Sequence, residues 1–198
     1  MAERFALLLL IVAGEGFFKL VITLAEKGID DVVGDVFVNY AFGGLSIFVL
    51  CWIYFDFVGN GKPRDNAPNT FIKWTVSHLL LMLSAVAIGV ALSAEVKIGF
   101  MDQYPFKYAL IGCLGLATYL YCLLKIQNVI ELRTAHRFAT AKVRYFGITL
   151  CFVTLIIVPF VPSIVANLVW GAALFSQILI PVRTAFKTLT REVKQTLD

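Results

Sequence analysis

The sequence predicts an all-α fold, a polytopic membrane protein built as a bundle of six transmembrane helices. Its 198 residues are 60% hydrophobic, with a mean hydropathy of +0.84. Only 15% of them are charged, against roughly 25% in soluble proteins. Apolar stretches close to the roughly 20 residues that cross a bilayer recur about six times. Little chain remains for a soluble part, so residues 1–198 are expected to form a single transmembrane domain.

The six predicted spans are 5–25, 33–57, 71–93, 104–125, 143–161 and 164–185. The first follows Arg4 and resembles a secretory signal, but Glu15 and Lys19 interrupt it, so we interpret it as a mature spanning helix. The segment "GNGKPRDNAPN", 59–69, is rich in turn-forming residues. The segment 125–144 contains no helix breaker, which predicts that the fourth helix continues beyond the bilayer.

Lysine and arginine predict the orientation of the bundle. If the N-terminus is cytoplasmic, thirteen of these residues lie on the inner side and three, Lys27, Lys97 and Lys107, on the outer side. This asymmetry follows the positive-inside rule, so both termini are expected in the cytoplasm. The inner loop is strongly basic and could attract anionic lipid. This basic segment contains Arg133, His136, Arg137, Lys142 and Arg144.

Two ionisable residues interrupt the first span near its middle. Glu15 and Lys19 are four positions apart with the acid first, which is the favourable order for an ion pair on one helix face. A charge at this depth costs about 2.5–3.5 kcal/mol on insertion scales. The sequence therefore predicts either a compensating partner or a functional pocket around them.

Asp56 and His78 lie near the cytoplasmic ends of the second and third spans, which a short loop joins. A series from Asp56 through His78 to Glu15 could pass or sense protons, because histidine titrates near neutrality. The alternative is structural: Asp56 and His78 form an interhelical hydrogen bond, and Glu15 binds Lys19. The sequence leaves both interpretations open.

Other polar residues within the spans could line a cavity or form interhelical hydrogen bonds; they are Asn39, Thr118, Asn167 and Gln177. The four cysteines all lie in apolar segments and are expected to pack as small hydrophobic residues. The sequence contains no GxGxxG, P-loop, GxSxG or HExxH motif. No cofactor, metal site or nucleic-acid partner is predicted, and an enzymatic activity is the less favoured interpretation.

Three segments of the first half carry a family resemblance: "ERFALLLLIVAGE", 3–15, "WIYFDF", 52–57, and "SHLLLMLSAVAIGVAL", 77–92. In this order they resemble the ERFG…GE, W…YFD and H-P-L…G segments of the bacterial low temperature requirement protein A family. The resemblance implies a multi-pass protein of the bacterial inner membrane, and Glu15, Asp56 and His78 match its polar positions. Leu80 stands where the family has proline. Members of that family are about twice this length, so two copies are expected to associate as a homodimer.

These observations support two functional hypotheses. The first is a proton-linked transporter or small-ion pathway in which Glu15, Lys19, Asp56 and His78 form the site. The second is a non-transporting intramembrane protein that binds a ligand or serves as a scaffold, with the same polar set holding the helices in register. In both cases the immediate environment is the lipid bilayer.

Overall fold

A computed structural model describes residues 2–26, 34–59, 61–99, 101–131 and 141–197, with the backbone alone at 35, 185, 188, 189 and 191–197. The described residues form six long α-helices. They are α1 (Ala2–Glu26), α2 (Gly34–Phe57), α3 (Pro68–Glu95), α4 (Phe106–Gln127), α5 (Ala141–Ile157) and α6 (Ser163–Leu197). A 3-10 turn, Val158–Phe160, follows α5.

Each of the six helices contains a segment long and apolar enough to cross a membrane. The predicted class, an all-α polytopic membrane bundle, is therefore confirmed. Prolines mark several helix boundaries: Pro68 opens α3, Pro105 precedes α4, and Pro159 lies in the 3-10 turn that ends α5. Proline lacks the N–H that a helix interior needs, but it is tolerated in the first turn.

The helices pack as a ring in the order α1, α3, α4, α5, α6 and α2, and α2 also contacts α3 and α4. In the most apolar part of each helix, 61% of the α4 residues are buried but only 17% of the α1 residues. Helix α4 therefore forms the centre of the core, and α1 lies at its edge. The bundle has two ends. We call them the Glu95 end, where α3 finishes and α4 and α6 begin, and the Arg144 end, where α1 and α5 begin.

Helices α3 and α4 form the most extensive helix pair of the bundle. Their backbones approach closely at Gly112, where an added Cβ would lie 2.9 Å from the Cβ of Ala91. At Gly115 an added Cβ would lie 3.2 Å from the carbonyl oxygen of Ser84. Small residues allow such close packing between membrane helices.

The predicted extension of the fourth helix is wrong, because α4 ends at Gln127. Beyond it the chain pairs with the loop after α2: Arg64 N donates to Val129 O (2.9 Å), and Glu131 N donates to Lys62 O (3.1 Å). Ile130 is buried in this contact. Pairing with a distant loop supplies backbone hydrogen bonds that replace those of a longer helix.

Candidate functional site

Glu15 and Lys19 lie on the outer surface of the bundle. Both side chains are exposed and line a groove between α1 and α3 that also includes Gly89 and Ser93. Their shared face agrees with the i, i+4 spacing. However, the described side chains form one ion pair within 4.0 Å, between Arg64 and Asp65, so the predicted pair of Glu15 with Lys19 is absent.

His78 lies where α1, α2 and α3 converge, inside a cage of aromatic rings. Its imidazole is only 1% exposed. The ring centroids of Trp74, Phe5 and Tyr54 lie 4.5, 4.7 and 6.0 Å from it. Its Nδ1 lies 2.8 Å from the Trp74 carbonyl oxygen, one turn earlier in α3. The surroundings of His78 are therefore aromatic rather than acidic.

Asp56 lies on the outside of α2. Its Oδ2 accepts a hydrogen bond of 2.7 Å from Nε1 of Trp52, one turn earlier on the same helix. The side chain is exposed, whereas His78 is enclosed. The hydrogen bond expected between Asp56 and His78 is therefore not formed, because Asp56 takes its partner from its own helix.

A polar cluster lies at the Glu95 end, and its central residue, Glu95, was not singled out from the sequence. The Glu95 side chain is only 3% exposed, and its carboxylate accepts a hydrogen bond from the Asn167 side chain of α6. Its other oxygen, Oε1, is buried without a hydrogen-bond partner. Asn39 of α2 donates through Nδ2 to the carbonyl oxygens of Ile98 (3.0 Å) and Glu95 (3.4 Å). Asn167 Nδ2 also lies 3.5 Å from Asn39 Oδ1, so three helices meet here through polar side chains.

Beside Glu95 is a cavity of about 20 Å³, which is room for one water molecule. We call it the Glu95 cavity. Its polar or titratable side chains are Glu95, Tyr104, Cys113, Thr154 and Asn167, and alanines, Gly112, Leu92 and Trp170 complete the wall. The Tyr104 hydroxyl donates to Ala91 O (2.8 Å), and burial together with the nearby Glu95 carboxylate raises the pKa of Tyr104. No basic side chain lines the cavity.

The negative charge of an ionised Glu95 can be neutralised in this cavity only by a bound proton or cation. An ionised carboxylate without a nearby cation is costly in a low-dielectric interior. Glu95 can avoid this cost by taking up a proton or by holding a cation whose other ligands are water, the Thr154 hydroxyl or amide oxygens. Within the described residues no three His, Cys, Asp or Glu side chains converge as a metal site.

A second buried charge lies near the opposite end of the bundle. Arg144 of α5 is 0% exposed, and its Nη1 donates to Gln177 Oε1 of α6 (2.9 Å). Its guanidinium carbon lies 4.7 Å from the ring centroid of Phe57. Gln177 is fixed in turn, because Nε2 donates to Val143 O (3.0 Å) and Ala173 O (3.1 Å). We call Arg144, Gln177 and Phe57 the Arg144 cluster.

Buried residues of α4 separate the two polar sites. Cys113 lines the Glu95 cavity, and Leu120 packs beside Gln177 around Gly147. These α4 residues are seven positions apart, about 10 Å along the helix. Leu116 and Tyr119 between them are fully buried, and the Tyr119 hydroxyl donates to Leu50 O (2.9 Å). Along α4, buried and largely apolar side chains therefore lie between the two polar sites.

The four polar residues predicted as cavity lining have different locations. Asn167 lines the Glu95 cavity, and Asn39 bonds to the same cluster. Gln177 belongs to the Arg144 cluster, and Thr118 is half-buried on α4 outside both sites. In the basic loop, Arg133, His136 and Arg137 lie outside the described residues.

Sequence reasoning missed Glu95 and Arg144 because both lie near the predicted ends of spans. Glu95 follows the predicted end of the third span at 93, whereas α3 continues to Glu95 itself. Arg144 lies one residue inside the predicted start of the fifth span and was counted as a topological charge. The sequence did offer one signal, the closeness of both residues to the ends of apolar spans. If the predicted third and fifth helices are extended by a few residues, both side chains lie inside the bundle.

Comparison with known proteins identifies one family. The chain matches the family described as Bacterial low temperature requirement A protein (LtrA) over residues 1–180. The match extends well beyond the segments 3–92 on which the resemblance in the sequence depended. No curated protein and no solved structure matches the chain significantly.

Proposed function

Because the chain belongs to the bacterial LtrA family and has six helices that can cross a membrane, we propose that this multi-pass membrane protein is a proton-linked transporter or small-ion pathway. Glu95 is the residue that gains and loses charge. One observation carries the proposal: a carboxylate that is 3% exposed has an oxygen without a partner beside a water-sized cavity. Intramembrane ionisable residues commonly mark ion or proton pathways.

The surroundings of Glu95 favour charge exchange over a fixed structural pair. The cavity wall has no basic side chain, so no internal cation holds the carboxylate permanently ionised. The other titratable groups that line it are the Tyr104 hydroxyl and the Cys113 thiol. The Asn39 and Asn167 amides are neutral and can accompany either state of the carboxyl group.

The buried side chains of α4 between the two polar sites are compatible with a carrier. A carrier exposes its site to one side of the membrane at a time, so a barrier on the other side of the site is expected. Glu95 lies among α3, α4, α5 and α6, and relative movement of these helices would open the cavity.

The residues predicted from the sequence offer a second location for the same function. Glu15 and Lys19 line the groove between α1 and α3, and His78 lies further along these helices. Under this version of the proposal, protons pass along α1–α3 through Asp56, His78 and Glu15. The enclosure of Glu95 and the exposure of Glu15 favour the cavity over the groove.

The test is proton flux into proteoliposomes that contain a pH-sensitive dye, with an imposed pH gradient and membrane potential. We expect the wild-type protein to conduct protons. In Glu95→Gln the rate of proton flux should fall at least about tenfold, because the amide cannot exchange a proton. Glu26→Gln is the matched control, since Glu26 is exposed at the end of α1. Loss of flux in Glu15→Gln with normal flux in Glu95→Gln would move the site to the groove. No flux above protein-free liposomes, with protons or with Na⁺ or K⁺, would reject transport.

A second function is favoured by an apolar groove of about 740 Å³ on the outer surface of α1 and α2. Aromatic side chains line it, including Phe17, Phe48, Trp52 and Phe55. Such a groove suits a lipid, a pigment or a partner helix, and would make the protein an intramembrane binding or scaffold protein. Native mass spectrometry of gently purified protein tests this function, and a spectrum of bare protein would argue against it.

A further inference from the structure

The guanidinium of Arg144 has one edge that no group in the protein satisfies. Nη1 donates to Gln177, whereas Nε and Nη2 are both buried without a hydrogen-bond partner. These two nitrogens lie side by side on the planar group. They form the edge with which arginine donates two parallel hydrogen bonds to a carboxylate or phosphate.

No acidic side chain of the described residues lies within 4.0 Å of this arginine. The adjoining segment 132–140, "LRTAHRFAT", contains no Asp or Glu. On α6, Glu192 is fifteen residues beyond Gln177, which is about 22 Å along the helix. Since arginine stays protonated in proteins, a buried positive charge remains without a counter-ion among the described side chains.

The contacts that Arg144 does make are too weak to replace an anion. The Gln177 amide oxygen is a neutral acceptor, and the Phe57 ring at 4.7 Å supplies only the modest attraction of a cation–π contact. Burial of an unpaired charge costs more than such contacts return. An external anion would both balance the charge and satisfy the two free N–H groups.

We propose that the Nε–Nη2 edge of Arg144 binds an oxyanion, a carboxylate or phosphate group supplied by a molecule other than the protein. The Phe57 ring packs against the guanidinium and is itself buried, so binding at this edge requires the side chains around Arg144 to shift.

The oxyanion can be a free anion or the phosphate of a lipid headgroup. Two measurements distinguish these sources. In detergent, the probe is sodium phosphate, titrated against the purified protein by calorimetry at constant ionic strength set with sodium chloride. In nanodiscs, the probe is phosphatidylglycerol in phosphatidylcholine, measured as lipid retained by the protein and as thermal stabilisation.

The variants separate a built site from general attraction to positive charge. Arg144→Gln removes both the positive charge and the Nε–Nη2 pair of donors, and is expected to weaken oxyanion binding by at least about tenfold. Arg144→Lys keeps the charge but lacks the side-on pair of donors, so binding should also weaken. Lys142→Gln also removes one positive charge, but from an exposed side chain two residues before Arg144. This variant should bind like wild type.

Each outcome decides the proposal. Saturable phosphate binding that is lost in the Arg144 variants supports a free-anion site, and selective retention of phosphatidylglycerol supports a lipid site. If wild type binds neither probe, or if Lys142→Gln weakens binding as much as Arg144→Lys, the proposal is overturned. Should Arg144→Gln fail to fold, Arg144→Lys and the wild-type titration still decide. The inference does not depend on transport, since binding is measured without flux.

Discussion

Asn39 is the side chain that ties α2 to the end of α3. It is 1% exposed and donates to the carbonyl oxygens of Ile98 and Glu95. The last carbonyls of a helix have no partner within the helix, so a side chain from another helix replaces the missing donor. We expect Asn39→Ala to lower the free energy of unfolding by about 1–3 kcal/mol. Val38→Ala, at an exposed neighbouring position, is the control. Equal unfolding curves for the two variants in a denaturant titration would show that these bonds contribute nothing.

Tyr104 gives a pH-dependent prediction. Burial, and then the negative charge of Glu95, raises the pKa of this hydroxyl. The folded protein therefore retains the Tyr104 proton above about pH 10, where the unfolded chain releases it. The resulting stability is fully present below about pH 10 and is lost as the pH rises further.

Tyr104→Phe removes this titration, although it also loses the hydrogen bond to Ala91. Between about pH 9 and 11, the wild type should lose more stability than the variant, by up to about 1.4 kcal/mol per pH unit. Thermal unfolding midpoints across this range measure the difference. Tyr145→Phe, at an exposed position, should follow the wild-type curve. Parallel curves for wild type and Tyr104→Phe would contradict the prediction.

At the scale of helices, the contact of α3 with α4 limits what can replace Gly112. A Cβ there would lie 2.9 Å from that of Ala91, and both atoms are attached directly to helix backbones. Gly112→Ala must therefore push the helices apart, at a cost of about 1–3 kcal/mol, although alanine favours helix by about 1 kcal/mol.

Gly14→Ala is the matched control for this prediction, because no atom lies within 4 Å of an added Cβ there. It should leave stability unchanged or raise it by up to about 1 kcal/mol. Unfolding in a series of denaturant concentrations compares both variants with wild type. A Gly112→Ala protein as stable as Gly14→Ala would mean that the helices separate without cost.

The helices themselves could be predicted from sequence because a lipid environment allows few alternatives. A membrane-spanning segment must satisfy its backbone hydrogen bonds internally, so length and hydropathy predict a helix. Helix ends are different. The end of α4 at Gln127 depends on pairing of residues 129–131 with the loop at 62–64, which is a tertiary contact without a local signal.

The candidate site could be predicted only in part, because sequence gives depth along a helix but not the neighbours of each face. Asn39, Asn167 and Gln177 were recognisable as polar residues in apolar spans, and the structure places all three in polar clusters. Asp56 and His78 belong to the same end of the bundle. However, Asp56 faces outwards towards Trp52, whereas His78 lies among aromatic rings. Only the packed arrangement of α1–α3 distinguishes these two environments.

At the scale of the whole molecule, the positive-inside bias gives a testable orientation. The predicted spans assign thirteen Lys and Arg residues to the side of the N-terminus and three to the other, so we expect both termini in the cytoplasm of a bacterial inner membrane. A C-terminal green fluorescent protein fusion should fluoresce, and a C-terminal alkaline phosphatase fusion should be inactive. The same two reporters inserted at Lys97 serve as the control and should give the reverse result. An active phosphatase at the C-terminus would reject the orientation.

The exposed charges of α1 bear on assembly. Glu15 and Lys19 lie near the middle of the helix that the bundle encloses least. Each costs about 2.5–3.5 kcal/mol if it faces lipid, and no ion pair with another described side chain relieves this cost. We propose that a second copy of the chain covers this face. In a two-fold symmetric dimer each contact occurs twice, so Glu15 of one protomer would meet Lys19 of its partner.

Charge reversal tests this dimer. Glu15→Lys or Lys19→Glu alone would place like charges across the interface, so each should shift the protein towards monomer. Glu15→Lys combined with Lys19→Glu restores opposite charges at both contacts and should restore the dimer. Single-molecule photobleaching of labelled protein at low density in liposomes counts the protomers, and Glu26→Lys at the exposed end of α1 controls for charge reversal elsewhere. A monomeric wild type, or a double variant that dissociates as much as the single ones, would show that α1 faces lipid. In that case the Glu15 and Lys19 charges would have to be satisfied by water or headgroups in the groove with α3.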